Sequence, residues 1–188
     1  LGPEHEAQET LESISSELFR TAEIVGSFND FKLESANRPG ECEVNEVTRQ
    51  IGALFDRGHD IKFEYRLDES NPIVQIHSNN LKQILTNLIK NATESSSGGD
   101  TISLCTAGKL MHGNNTFVEL AVRDTGQGIA DDIGNVFNKG VSTKSGAHSG
   151  EGLAVVRQLT EAANGFVTYR SDQHGTEFRI TIPQLQHR

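Results

Sequence analysis

Two asparagines, Asn87 and Asn91, stand four residues apart in the segment 81–92. On a helix that spacing puts them on one face. An amide oxygen is a hard ligand that suits Mg2+, a cation that usually takes few protein atoms and completes its shell with phosphates and water. Asparagine also weakens a helix interior, because its side chain competes for backbone partners. A pair of them mid-helix therefore asks for a reason, although two solvated polar residues remain an equal alternative for the pair alone. Further on comes Asp124-Thr125-Gly126-Gln127-Gly128-Ile129. A carboxylate there can accept a hydrogen bond from an exocyclic amine such as that of adenine, and the two glycines let the backbone turn and approach a flat ring. In isolation this is also an ordinary turn. The third group is Ser149-Gly150-Glu151-Gly152-Leu153, where a loop gives way to a helix. Glycines at a helix start bare the backbone N–H groups, and the helix dipole favours anions such as a phosphate chain. A flexible loop end is the bland alternative.

The elements that must position these groups follow from hydrophobic periodicity. Leu81, Ile84, Leu85, Leu88, Ile89 and Ala92 repeat at helical spacing, predicting a helix over 79–95 that Ser78 or Asn79 caps and the run 95–99 ends. The segment 44–55 suggests another helix and 151–163 a third. Ile61, Phe63, Tyr65 and Leu67 alternate with polar residues as a half-buried strand does. Short apolar runs at 73–76, 101–107, 116–123, 166–170 and 176–182 add further strands, with a turn around Gly113 and Asn114. The polar stretch 126–149 lacks periodicity and is long enough for a functional lid. Strands compatible with hairpins, together with three helices, predict an α+β two-layer sandwich, a mainly antiparallel sheet with helices on one face. Ahead of it, Leu11, Ile14, Leu18, Val25 and Phe28 fall on heptad core positions, broken by Thr21, which predicts a long helix over 6–35. The break at 35–43 reads as a linker.

Composition narrows the function. A formal charge of -9 argues against nucleic acid or an anionic membrane as partner, since both need a basic surface. Cys42 and Cys105 lie far apart without ligand spacing, so a disulfide framework or zinc site is not expected and a reducing compartment is. No apolar run approaches the roughly 20 residues that span a bilayer. The chain begins at Leu1 rather than Met and reads as a piece of something longer, in which a membrane anchor has room.

The order of the motifs is more specific than any one of them. It resembles the ATPase superfamily shared by gyrases, heat-shock chaperones, mismatch-repair proteins and histidine kinases, and most of all the sensor histidine kinases. The run 81–92 is similar to their asparagine box, 124–129 to the first glycine box, 136–144 to the phenylalanine box and lid, 150–153 to the second glycine box. His174-Gly175-Thr176-Glu177-Phe178 resembles the closing glycine-threonine motif, and Ile182-Pro183 the usual domain end. The resemblance implies a Bergerat-type ATP-binding fold over 43–188, a linker over 37–42, and the second helix of a dimerisation hairpin over 1–36. It implies that Asn91 holds Mg2+ with Asn87 assisting, that Asp124 reads the adenine amine, and that Gly126, Gly128, Ile129 and Thr176 shape the base pocket. Gly150, Gly152 and Leu153 would present the phosphate site, Lys144 would meet the γ-phosphate, and Phe137 would anchor the lid. Two departures stand out. Glu94 occupies a position where many histidine kinases have lysine, a form that looks like a branch including carboxylate sensors, and Ala154 replaces a frequent third glycine.

The resemblance also bears on the reaction. The superfamily's hydrolases place a glutamate one turn before the metal asparagine to activate water, and here that position is Asn87, which cannot act as a general base. The implied activity is a protein-histidine kinase of a two-component phosphorelay, located in the cytoplasm, with ATP and Mg2+ as cofactors. Its implied partners are its own dimerisation domain, in a homodimer, and a response-regulator receiver domain. His5 is followed by Glu6, as phosphoacceptors often are, but a two-helix hairpin needs about 60 residues at about 1.5 Å rise each. His5 therefore falls in the turn entering the second helix, so no phosphoacceptor is expected in this chain and the fragment alone should not autophosphorylate. His59, His77, His112, His148 and His174 read as surface or loop residues and His187 as part of a polar tail. The rival readings are a hydrolase-type ATPase of the same superfamily and a degenerate kinase domain serving as a nucleotide-binding scaffold. An anti-sigma serine kinase is disfavoured by the preceding helix.

Overall fold

A computed structural model describes residues 40–56, 60–130, 135–138 and 151–185. The helix expected over 6–35, Lys144, Gly150 and most of the lid lie outside the described residues.

Strand β1 (Cys42–Glu43) leads straight into helix α1 (Val44–Phe55), followed by β2 (Lys62–Arg66) and β3 (Ile73–Val74). Helix α2 (Ser78–Ser95) comes next, then the strands β4 (Thr101–His112) and β5 (Asn115–Asp124). Helix α3 (Gly152–Ala162) precedes the closing strands β6 (Phe166–Asp172) and β7 (Gly175–Pro183). Five strands form one sheet in the order β2-β4-β5-β7-β6, and β1 pairs with β3 in a small second sheet. The main sheet is antiparallel except at β2, which runs parallel to β4. The sheet is thus mainly antiparallel, as expected, and its one parallel pair has a cause in the chain: α2 and β3 lie between β2 and β4, and that length of chain carries the polypeptide back to the starting edge.

Strand pleat sorts the residues of the sheet. Ile102, Leu104, Leu120, Val122, Phe178 and Ile180 face the helices and are buried. The opposite face is polar, with Arg179 paired to Glu177 and Glu119, and Glu64 paired to Lys62 and Arg66. Helix α2 lies in the middle of the helical layer, with α1 on one side and α3 on the other. Its residues Leu81, Ile84, Leu85, Leu88 and Ile89 have no exposure at all. At roughly 2 kcal/mol for each fully buried aliphatic side chain, that stripe fixes the rotation of the helix about its axis. Helix α1 sits equally close to the sheet. A Cβ at Gly52 would lie 2.6 Å from the Tyr65 hydroxyl and 2.7 Å from Leu104, so glycine is what lets α1 approach β2 and β4.

Three local readings change. Cys42 and Glu43, assigned above to the linker break, form β1 against Val74 and Ile73. Cys42 is buried there, and burial pushes its thiol up to about 12. The cap of α2 is neither Ser78 nor Asn79. The ring Nδ1 of His77 accepts the Asn79 N–H at 3.2 Å, so a residue read as surface histidine also satisfies an otherwise orphan donor. Strand β4 extends well beyond 107, to His112, with a bulge between Ala107 and Leu110 and Lys109 at φ 58, whereas β5 gains one residue at each end. The alternation is interrupted at the bulge, which hid the continuation of β4. Among the described residues no helix is long and apolar enough to cross a membrane.

Candidate functional site

Helix α2 carries the first part of the site on the face that its apolar stripe leaves uncovered. Asn87 and Asn91 are both half-buried, and Ser95 continues the same row one turn on. Each end of this row touches a different glycine motif. At Asn87, the side-chain Cγ and Oδ1 lie 3.7 Å from where a Cβ on Gly152 would be, so the start of α3 meets the asparagine row there. At the other end, the Ser95 carbonyl oxygen lies 2.2 Å from a Cβ built on Gly126. The same carbonyl accepts the Gln127 N–H at 3.4 Å. Asn91 therefore lies between the two motifs, on a row whose ends, Asn87 and Ser95, are about 12 Å apart along the helix axis.

Asp124 is the last residue of β5, opposite Ile102, on the helix-facing side of the sheet. It is 3% exposed. Its Oδ1 accepts the N–H of Gly126 at 3.0 Å and that of Thr176 at 3.2 Å. Both of those bonds fall on Oδ1, and among the described residues no hydrogen bond reaches the second carboxylate oxygen. Burial raises the carboxyl pKa above its ordinary value, and the Gly126 and Thr176 amides oppose that shift. The turn after Asp124 is tightly held. Thr125 Oγ1 accepts the Thr101 N–H at 3.0 Å and donates to Asp100 at 3.1 Å. Gly128 has φ 73, and a Cβ there would fall 1.9 Å from the Asp172 carbonyl oxygen. Gly175 has φ 128 and packs its backbone on the Asp124 carbonyl, which seats Thr176 beside the carboxylate. Ile129, half-buried, donates its N–H to Ser171 Oγ at 2.7 Å.

Helix α3 begins at Gly152 with Leu153 next to it, both half-buried. The side chain of Glu151, the residue before it, does not cap its start. Phe137 lies on the helix side of the sheet edge, with its ring edge-on to Tyr169 at 5.8 Å and to Phe178 at 6.2 Å, while the preceding Val136 is buried. Glu94 is 3.8 Å from Lys90, one turn back on α2. A recess of about 750 Å³ opens between the backbone of 127–130 and that of 171–174. Neither Asn91 nor Asp124 lines it, so it is a neighbour of the asparagine row rather than its cavity.

Among the described residues no three His, Cys, Asp or Glu side chains gather as a metal cluster. An amide oxygen such as that of Asn91 is a hard donor, of the kind that suits Mg2+ better than zinc. Sequence reasoning missed Ser95, whose contribution is a backbone carbonyl, and Ser171. The latter was in principle findable: joining β6 to β7 through the two residues Gln173 and His174 puts Ser171 opposite Thr176.

The description "Histidine kinase-, DNA gyrase B-, and HSP90-like ATPase" matches residues 76–186, more than half of the chain. The chain belongs to this ATPase family. Its similar proteins are sensor kinases. The sensory histidine kinase/phosphatase NtrB of Azospirillum brasilense is 32% identical over 179 residues, covering 86% of this chain and 44% of NtrB. The sensor histidine kinase DcuS of Escherichia coli is 35% identical over 170 residues, covering 85% of this chain and 30% of DcuS. The chain thus spans less than half the length of these relatives. The solved catalytic domain of histidine kinase ThkA superposes with a TM-score of 0.67 at 25% identity, over 79% of this chain and 97% of that domain. Such histidine kinase domains share the ATPase domain's α+β architecture of a mixed sheet with helices on one face.

Proposed function

We propose that this ATPase domain is the catalytic part of a two-component sensor histidine kinase. In this reading it binds Mg-ATP and transfers the γ-phosphoryl group to a histidine on a dimerisation domain, from which it passes to an aspartate of a response regulator. The observation that carries the proposal is the row on α2, with Asn87 against Gly152 and the Ser95 carbonyl against Gly126. A ligand lying along that row has its base near Asp124 and its phosphates near the start of α3.

Each residue then has a task. The Asp124 carboxylate accepts from the exocyclic amine of adenine, with Gly126, Gly128, Ile129 and Thr176 forming the walls around the base. Asn91 holds Mg2+ through its amide oxygen, and Asn87 steadies a phosphate or a metal-bound water. The cation, when bound, neutralises charge on the phosphate chain. Gly150 and Gly152 offer backbone N–H groups to the phosphates, beside Leu153. Lys144 meets the γ-phosphate, and the aromatic seat under Phe137 holds one end of the lid. Asn87 favours kinase over hydrolase, because an amide cannot deprotonate water and bound ATP then waits for an imidazole nucleophile. The solved complex of ThkA with the response regulator protein TrrA matches 98% of this chain at a TM-score of 0.67, which supports a response regulator as the final partner.

The test is a comparison of binding with turnover. The 188-residue chain is mixed with γ-labelled ATP and Mg2+, with and without a separately produced helical hairpin carrying the acceptor histidine. Tight binding, slow release of free phosphate and labelled histidine on the hairpin are expected. Rapid steady-state hydrolysis by the chain alone would favour the hydrolase reading, and no binding at all would favour a degenerate scaffold.

A further inference from the structure

The face of the main sheet that turns away from the helices has no part in the nucleotide site. Strand register sorts its side chains into rows that run across the sheet. One row is Glu64, Ser103, Arg123, Glu177 and Arg170, and the next is Arg66, Cys105, Ala121, Arg179 and Thr168. The carboxylates of these rows are already taken: Glu64 is held by Lys62 and Arg66, and Glu177 by Arg179 at 2.8 Å. Arg123 and Arg170 flank Glu177 on the two neighbouring strands. Both are exposed, and neither makes an ion pair among the described residues. Asp172, one step beyond Arg170, is engaged by the β6–β7 hairpin, where it accepts the His174 N–H at 2.7 Å. The two rows therefore hold an excess of positive charge, on a chain whose formal charge is -9.

Further along the same face the rows turn apolar. Phe166, opposite Thr181, is 51% exposed. Beyond it Leu110, 39% exposed, stands in one row with the half-buried Phe117 and Pro183. An apolar patch bordered by charge on an open surface is a mark of an interaction site.

The two halves narrow the occupant. An acidic partner is repelled by most of this chain and accepted on the arginine rows, which fixes its orientation. The planar fork of arginine suits carboxylates in particular. A continuous phosphate surface, of nucleic acid or lipid, would set its charges against Glu64, Glu119 and Glu177, which stand among the arginines, and against the acidic remainder of the chain. A second copy would bring like charge to like charge. The rows cover roughly 20 Å in each direction at strand spacings, about 400 Å2, which is small for a permanent dimer and in scale with a transient contact.

We propose that the open face of the sheet is a docking surface for a partner protein that presents carboxylates beside an apolar patch. This goes beyond the nucleotide-binding reading and does not depend on it.

The experiment is an NMR titration of the full chain with a synthetic amphipathic peptide that carries glutamates along one side and leucines along the other. Its lysine counterpart, polyglutamate and phosphatidylserine vesicles are the comparison probes. The glutamate peptide should bind, more weakly as salt rises, and move the resonances of Arg123, Phe166, Arg170 and Arg179 rather than those of the helices. Arg123→Gln with Arg170→Gln should weaken it about tenfold, and Arg123→Lys with Arg170→Lys should keep most of the binding. Phe166→Ser should weaken the peptide and leave polyglutamate, itself a poorer ligand, unchanged. Melting curves establish that each variant is folded; should the glutamine pair not fold, Arg170→Gln alone carries the test with a smaller loss. No binding, equal binding of the lysine peptide, shifts centred on the helices, or folded glutamine variants that bind as wild type does would each overturn the proposal. Vesicles bound in preference to the peptide, through the same arginines, would overturn it in favour of a lipid surface.

Discussion

The two glycine motifs look alike in sequence and differ sharply in what surrounds them. Around Gly126 and Gly128, backbone oxygens occupy the space a side chain would need: the Ser95 carbonyl at 2.2 Å and the Asp172 carbonyl at 1.9 Å from the built Cβ atoms. Around Gly152, the nearest described atoms belong to Asn87 at 3.7 Å and beyond, an ordinary contact. Glycine in the first motif is demanded by the fold, because the turn must fit between the end of α2 and the β6–β7 hairpin. Among the described residues, nothing in the folded domain demands it at Gly152. There the glycine faces the asparagine row, at a helix start that the Glu151 side chain does not cap. Two identical residue types thus serve packing in one place and, on the reading proposed here, a ligand in the other.

The largest effect should come from breaking the first motif. Gly128→Ala forces a side chain into a backbone carbonyl at positive φ, and a loss of about 3 kcal/mol is expected, read as a lower melting midpoint. Gly126→Ala should behave similarly, without a positive φ but against an equally unyielding carbonyl. Next comes Asp124→Asn. The amide still accepts from the Gly126 and Thr176 N–H groups but loses the charge that grips an amine, worth about 1.5–3 kcal/mol, or roughly tenfold to a hundredfold in ATP affinity. Because the cost of burying a charge disappears too, the melting temperature should hold or rise, which separates a binding role from a structural one. Gly152→Ala should be the reverse of Gly128→Ala: stability within about 0.5 kcal/mol of wild type, and a several-fold loss of ATP affinity by titration.

The smallest effect is one of pH, and its two signs oppose. Burial raises the Asp124 pKa in the folded chain above its ordinary value. A group whose folded pKa is raised contributes stability below its unfolded pKa, and that contribution is lost as pH rises through the folded value. The ligand-free domain should therefore lose this contribution on going from acid toward neutral pH. Nucleotide affinity should move the other way, falling on acidification at a pH above the usual carboxylate range, since the acceptor is the ionised form. Melting curves and titrations across the same pH series check both, and Asp124→Asn should flatten both.

Much of the architecture was legible because its causes are local. The stripe from Leu81 to Ala92 has a single helical period, and the alternation at Phe178, Ile180 and Ile182 has a single strand period. The bulge at Ala107/Leu110 and the parallel placement of β2 were not, since each depends on a partner strand whose position no local pattern reports. The β1 strand is two residues long, below any period, and is held by β3 and by the burial of Cys42. For the site, side chains with conspicuous chemistry were found from their types and order. The Ser95 carbonyl could not be, because every residue has one. Ser171 is an ordinary serine until the β6–β7 register brings it to Thr176.

The measurement that tests the central claim most directly is titration of wild type, Asn91→Ala and Asp124→Asn with ATP and with adenosine, each with and without Mg2+. If both side chains hold one magnesium-nucleotide from opposite ends, Asp124→Asn should weaken ATP and adenosine alike. Asn91→Ala should erase the gain from Mg2+ on ATP and leave adenosine untouched. Both variants binding Mg-ATP within twofold of wild type would contradict the account.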